Sequence, residues 1–268
     1  MDFFSGSADA LGQQMRIRTG SISLDWENTS VLFGQEKPIV APREPNSLAQ
    51  VGVSPLTNAG NLWLWQPQVR VDQRFQLTPD TRFTAQVGVY QSRESSATVP
   101  APYSSSLATA RPALQGRFEL AHAFSDRTRV EIAPGFHTAT SQVAGVSVPS
   151  RMFSLDWLFR PVEKLEFSGA FFHGKNVAGM GALRQSFSFR PNGVVLPVQS
   201  TGGWAQLTFL ATDRLTFNLM GGQQDDRQAG EAHQDAHRGH ELKALRLVHA
   251  THFADDPEST IVHPCDGL

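Results

Sequence analysis

Three histidines towards the carboxyl end, His233, His237 and His240, stand four and three residues apart. On a helix that spacing would bring three imidazoles to one face, an arrangement zinc accepts. The pattern fixes no acidic group to orient them, so the expectation is a His-rich stretch that holds no metal. A second set of side chains recurs on a regular spacing. Arg70, Asp72, Arg74, Arg117, Glu119, Arg129 and Glu131 each stand one residue from an apolar neighbour, with signs mixed. Such a face is either the solvated side of a soluble sheet, with weak cross-strand pairs, or the wall of a pore whose transverse field acts on a passing solute. Trp63 and Trp65 are compatible with a stacking platform for a sugar ring. Cys265 is the one cysteine, so no internal disulfide can form, and nothing beside it marks a nucleophile. No glycine-rich phosphate cradle, serine nucleophile elbow or paired His-Glu helix is present, and neither catalysis nor a cofactor is expected.

The charged residues need an element that turns alternate side chains to opposite sides. Between residues 66 and 75 one face is Gln66, Gln68, Arg70, Asp72 and Arg74, and the other is Val69, Val71 and Phe75. A period of two belongs to strands. Taken over 62–75, with Trp63 and Trp65 at one end and Phe75 at the other, the stretch fits a strand crossing an outer membrane between aromatic girdles. Further on, Arg117 and Glu119 oppose Phe118 and Leu120, and Arg129 and Glu131 oppose Val130 and Ile132. In 151–160 the apolar face is Phe153, Leu155, Trp157 and Phe159, against Ser154 and Asp156; Trp157 joins the candidate interface aromatics. Strands are also expected over 82–91, 165–173, 203–210 and 215–221, with one imperfect strand over 15–26 and its return over 30–35. Residues 38–61 carry Pro38, Pro42, Pro45 and Pro55, too many for a central strand, and predict a long loop. Loops are expected over 93–112 and 142–149 as well. From about residue 224 the alternation stops, and a helix over 236–252 is compatible with Leu242, Leu245, Leu247 and Val248.

A net charge of −2 and a pI near 6.5 leave no basic surplus for neutralising phosphates, which excludes a nucleic-acid partner. No apolar run approaches the ~20 residues of a membrane helix, which rules out helical spanning but not a barrel. Short turns alternate with long loops, the layout of an outer-membrane barrel. The predicted fold is therefore all-β, an antiparallel transmembrane β-barrel, of which about ten or eleven strands are legible. Residues 1–223 form that partial barrel, and residues 224–268 a non-barrel, His-rich tail, either disordered or derived from a frameshift. The rival reading is a soluble β-sandwich that binds carbohydrate; detergent dependence would separate the two.

The succession Ile22-Ser23-Leu24-Asp25-Trp26, Asn28-Thr29-Ser30 and Leu32-Phe33-Gly34-Gln35, then Pro45-Asn46-Ser47-Leu48-Ala49 and Gly60-Asn61-Leu62-Trp63, ends in Pro67-Gln68-Val69-Arg70-Val71. It resembles the acidobacterial, DcaP-like family of outer-membrane porins, most specifically over 15–75 and in layout to about residue 223. The resemblance implies a trimeric barrel of roughly sixteen strands in the outer membrane, with lipid around it, passing small and often anionic solutes passively. It also implies that 38–61 is a constriction loop and that Arg70 and Arg74 are wall arginines favouring anions. The family begins with a signal peptide and finishes on a strand with a terminal aromatic residue. Met1-Asp2-Phe3-Phe4-Ser5-Gly6 has no basic or apolar leader region, and the chain ends Pro264-Cys265-Asp266-Gly267-Leu268. The expectation that follows is a fragment of a porin gene.

Overall fold

The computed structural model describes residues 2–5, 13–16, 18–47, 54–91, 112–143, 146–182, 186–189, 194–212, 214–228 and 242–251. Among the described residues, strands β1 (Asp2–Ser5) and β2 (Gln13–Arg16) pair only with each other. The main sheet is built from β3 (Gly20–Asp25), β4 (Thr29–Glu36), β5 (Gln66–Thr78), β6 (Thr81–Tyr90), β7 (Ala113–Ser125) and β8 (Thr128–Val143). It continues through β9 (Val146–Val162), β10 (Leu165–Lys175), β12 (Val195–Thr212), β13 (Leu215–Gln228) and β14 (Leu242–Thr251), while β11 (Phe187–Phe189) adds to the start of β12. Every pairing is antiparallel and joins sequence neighbours, apart from the step from β10 to β12. The fold is thus all-β, and among the described residues the main sheet is an open path of eleven strands whose outer members β3 and β14 do not pair with each other.

Hairpin chemistry explains the sidedness of the connections. Pro79 and Asp80 join β5 to β6, Asp126 and Arg127 join β7 to β8, and Glu163 and Lys164 join β9 to β10, all at one end of the sheet. Turn-forming residues suit such short connections. Each of these hairpins has a register shift beside its turn, at 76/78, 123/125 and 165/167, so an added residue at the strand end sharpens the twist. The opposite end carries the long connections from β4 to β5, β6 to β7 and β10 to β12, and also the two-residue step from β8 to β9.

Several boundaries differ from those expected. The strand anticipated over 15–26 is two strands in two different sheets. The strand anticipated from residue 62 begins at Gln66, because Leu62 is drawn into a cluster with Val40, Met152, Phe172 and Met180, and the Leu64 amide donates to the Met180 carbonyl. The loop anticipated over 142–149 is strand up to Val143 and again from Val146, with Pro149 opposite Thr140. Proline is tolerated where its nitrogen is not required to donate to a neighbour. Beyond residue 223, β13 runs on to Gln228, and 242–251, where a helix was compatible, is a strand in register with β13.

The sheet has one covered face and one bare face. Residues 37–47 and 54–65, the inward segment, together with 176–182 and 186–189, lie over the covered face, and the buried apolar side chains sit between them and the sheet. One cluster joins Val40, Ala41 and Leu62 to Met152 and Phe172; a second joins Leu56 and Ala59 to Trp204 and Met220; a third joins Ile39 to Tyr90 and Ala113. The bare face carries Val69, Val71, Phe75, Val87, Val89, Phe118, Leu120, Phe136, Phe153, Phe159, Leu207 and Phe209, all exposed.

Candidate functional site: a charged wall beneath an inward segment

Alternation decides which side chains reach the covered face. On β7 the residues Gln115 and Arg117 are buried while Leu114 and Phe118 are exposed; on β9 Ser154 and Asp156 are buried while Phe153 and Phe159 are exposed. Register then brings residues distant in sequence together: β6 lies beside β7, β7 beside β8, and β8 beside β9.

The centre of the resulting cluster is Asp156, 1% exposed. Arg117 donates to both of its carboxylate oxygens, Nε to Oδ2 at 2.7 Å and a terminal nitrogen to Oδ1 at 2.8 Å. This fork geometry is the stronger form of the ion pair. Arg117 also donates to Gln86 at 2.8 Å and to Glu119 at 2.8 Å. Gln86 in turn donates to Asp72 at 3.1 Å, and Asp72 lies 3.4 Å from Arg70. On the other side Arg43, from the inward segment, donates through Nε to Asp156 at 2.9 Å and through a terminal nitrogen to Glu131. Glu131 also pairs with Arg129 at 3.0 Å. Burial works to lower the Arg43 pKa, but Glu131 and Asp156 outweigh it and raise it above the ordinary guanidinium value, so the group stays charged.

The inward segment is held elsewhere by neutral bonds. The Asn46 amide donates to Gln206 Oε1 at 2.8 Å, and Gln206 Nε2 returns a bond to the Asn46 carbonyl at 3.1 Å. Gln68 donates to the Lys37 carbonyl at 2.9 Å, and the Ile39 amide to the Tyr90 hydroxyl at 3.3 Å. Gly60, at φ +94°, brings the segment against the sheet backbone: a Cβ there would lie 2.2 Å from the Gly203 carbonyl oxygen. Only glycine fits so close an approach at that φ. A buried polar chain runs beside the charges. Gln115 donates to Gln66 at 3.1 Å and contacts His137 Nδ1 at 3.2 Å, while His137 Nε2 meets Ser150 Oγ at 2.9 Å. Ser150 spends its proton on the Asn176 carbonyl at 2.7 Å, which assigns the imidazole proton to Nε2.

Of the side chains singled out in the sequence, Arg70, Asp72, Arg117, Glu119, Arg129 and Glu131 come together in this one network. Arg74 does not join it; its guanidinium donates to the Trp26 carbonyl at 3.2 Å, near the turn end. Phe75 lies on the bare face, 6.0 Å from Phe83 in a stacked run that continues to Phe118 and Phe136. Trp157 packs on Phe167 at 6.1 Å. Trp63 and Trp65 precede β5 and meet edge to face at 5.8 Å and 89°, with Arg18 over the Trp65 ring at 5.1 Å, so the pair presents no coplanar platform. His233, His237 and His240 lie outside the described residues. Sequence reasoning missed Arg43 and passed over Asp156 and Gln86 as site residues. Asp156 and Gln86 carried a signal, being polar positions in alternating strands; Arg43 carried none, because its partners are 88 and 113 residues away.

A sheet whose covered face carries a buried charged and polar network between apolar contacts, and whose bare face is apolar, has the sidedness of a strand wall set in lipid, the reverse of a soluble sandwich. The structure is similar to the crystal structure of the outer membrane channel DcaP of Acinetobacter baumannii, with a TM-score of 0.57 and 18% sequence identity. The likeness covers 84% of this chain and 60% of that one, so the chain spans about three fifths of that channel's length. No family model matches the sequence, and no curated protein matches it.

Proposed function

We propose that the chain contributes wall strands to an outer-membrane channel through which small polar solutes, anions among them, diffuse passively, with residues 38–47 and 54–61 narrowing the lumen. The inverted sidedness of the sheet carries this reading. Apolar side chains such as Phe118, Phe136, Phe153 and Phe159 are exposed on adjacent strands, while Arg117, Asp156, Gln115 and Gln224 are buried on the other face. In water that arrangement leaves large apolar patches bare; in lipid it satisfies both faces. A homotrimer in the outer membrane is the assembly that the family resemblance favours.

The anion preference rests on Arg70 and Arg74, and they are unequal. Arg70 lies 3.4 Å from Asp72, whereas Arg74 meets no carboxylate among the described residues. The full chain reconstituted in planar bilayers under a salt gradient tests the reading. Conductance with an anion-favouring reversal potential is expected, with Arg74→Gln moving it towards zero more than Arg70→Gln. Absence of conductance refutes the channel, and reversal potentials unchanged in both variants refute the role of the arginines.

A further inference from the structure

One row of bare-face residues, followed across the sheet by register, changes character halfway. It runs Ile22, Phe33, Val69, Val89 and Leu114 on β3 to β7, then Thr138, Arg151, Lys175, Gln199 and Arg227 on β8 to β13. Barrel strands are tilted, so a row drawn at right angles to them leaves the apolar band at one side of the sheet. On β12 the outward residues are Phe209 and Leu207 near the turn, and Thr201 and Gln199 at the far end. The basic positions therefore border the apolar band at the end that carries the long connections.

Arg151 and Lys175 are direct cross-strand partners, and neither meets a carboxylate among the described residues. Like charges placed opposite each other repel. Arg227 is paired with Asp225 at 2.8 Å, and Thr138 and Gln199 on the flanking strands are uncharged. Next to this row is an open depression of about 460 Å³ lined by Phe171, His173, Gln199, Thr201, Gly202, Gly203, Gln223, Asp225 and Arg227, the Asp225 carboxylate being taken up by Arg227. Its polar groups already lean on one another: Gln199 donates to His173 Nε2 at 3.1 Å, and His173 Nδ1 meets Thr201 Oγ1 at 2.7 Å. Lys175 lies directly across from Gln199, which joins the cation pair to the depression, and Phe171 is exposed on the same face.

Resting on the channel-wall reading, we propose that Arg151 and Lys175, with the adjoining depression, hold the phosphorylated headgroup of a lipid in the surrounding leaflet, the acyl chains lying along the band beside Phe171. The occupant is anionic because two unopposed cations face each other, and it is a lipid because the site straddles the border of the apolar band.

The test uses the full chain folded in zwitterionic detergent micelles and native mass spectrometry, with diphosphoryl lipid A, the same lipid dephosphorylated, and inorganic phosphate as probes. A heat-modifiable band on gels reports folding separately. Binding of the diphosphoryl form is expected, with a loss of about thirtyfold on removing its phosphates or on the double substitution Arg151→Gln and Lys175→Gln, roughly fivefold per cation. Arg214→Gln, at the turn end, should bind as the unmodified chain does. Equal binding by the double variant overturns the site, and inorganic phosphate bound as tightly as the lipid overturns the lipid assignment. A second copy of the chain lost on the double substitution without dependence on lipid reassigns the patch to self-contact. A chain that never folds in micelles overturns the channel-wall reading and this inference with it.

Discussion

Replacing Arg43 by methionine keeps the length of the side-chain stem and removes every donor, which isolates the role of the charge in holding the inward segment. Arg43 bonds two carboxylates, Asp156 at 2.9 Å and Glu131. Hydrogen bonds to charged groups contribute about 1.5–3 kcal/mol each, so the gross loss is about 3–6 kcal/mol. Both carboxylates keep another cation, Asp156 the fork of Arg117 and Glu131 the Nε of Arg129 at 3.0 Å, so neither is stranded and the loss falls near 3 kcal/mol. Apolar burial of Ile39, Val40 and Leu62 and the double bond between Asn46 and Gln206 remain, so the segment stays docked for most of the time. Opening should become about 100-fold more frequent, at 1.4 kcal/mol per factor of ten. Hydrogen exchange of a peptide spanning 37–47 measures it through the Asn46 and Ala41 amides, which donate to Gln206 and to the Pro38 carbonyl. Arg127→Met removes the exposed pair with Glu163 and should leave that peptide unchanged, since exposed pairs contribute about 0–1 kcal/mol. An increase below about threefold in Arg43→Met, or the same increase in both variants, refutes an electrostatic anchor.

Gly60→Ala forces a Cβ against the Gly203 and Gln223 carbonyl oxygens at a φ of +94°, and should cost about 1–3 kcal/mol in backbone strain alone. Faster exchange over 54–61 with little change over 37–47 is the expected signature, and wild-type exchange would show that the close approach is unnecessary. Phe118→Arg puts a charge in the middle of the stacked run between Phe83 and Phe136, and should lower the stability of the chain folded into vesicles by about 2–4 kcal/mol if that face meets lipid. An unchanged urea midpoint in vesicles would assign that face to water.

The sheet was legible wherever an apolar residue and a polar one exchange places every second position. Phe118 and Leu120 against Arg117 and Glu119, or Phe153 and Phe159 against Ser154 and Asp156, announce both the strand and its two faces. The pairing that gathers those polar residues into one network was not legible, because alternation states which face a residue is on and not which neighbour it meets. Strand starts were the weakest point. Leu62 to Trp65 alternate as a strand would, yet Leu62 is claimed by Val40, Met152 and Phe172, and a tertiary contact outweighed local pattern. Arg43 was invisible for the same reason in a stronger form. It sits among prolines with no period at all, and it acquires a role only once chain closure brings β8 and β9 beneath it.

On the proposed channel reading the covered face must be wet and still seat a covering segment, and the two demands are met by different residues of the same strands. Tyr90, Met152, Phe172, Trp204 and Met220 project onto the covered face as apolar pads, and each pad buries a residue of the inward segment or its flank. Between the pads lies the charged belt, in which the guanidinium groups of Arg43, Arg70, Arg117 and Arg129 face the carboxylates of Asp72, Glu119, Glu131 and Asp156. Four charges of each sign balance, but only because Arg43 arrives with the segment; the strands alone contribute three cations against four carboxylates. The pads make docking favourable without any charge, since their burial is apolar and scarcely screened by salt, and the belt then fixes where along the wall the segment comes to rest. Position and sign of the wall are therefore coupled through one side chain. On the proposed channel reading, a solute passing the docked segment would meet a field directed across the lumen with little net attraction from the belt, which leaves the anion preference to Arg74 outside it.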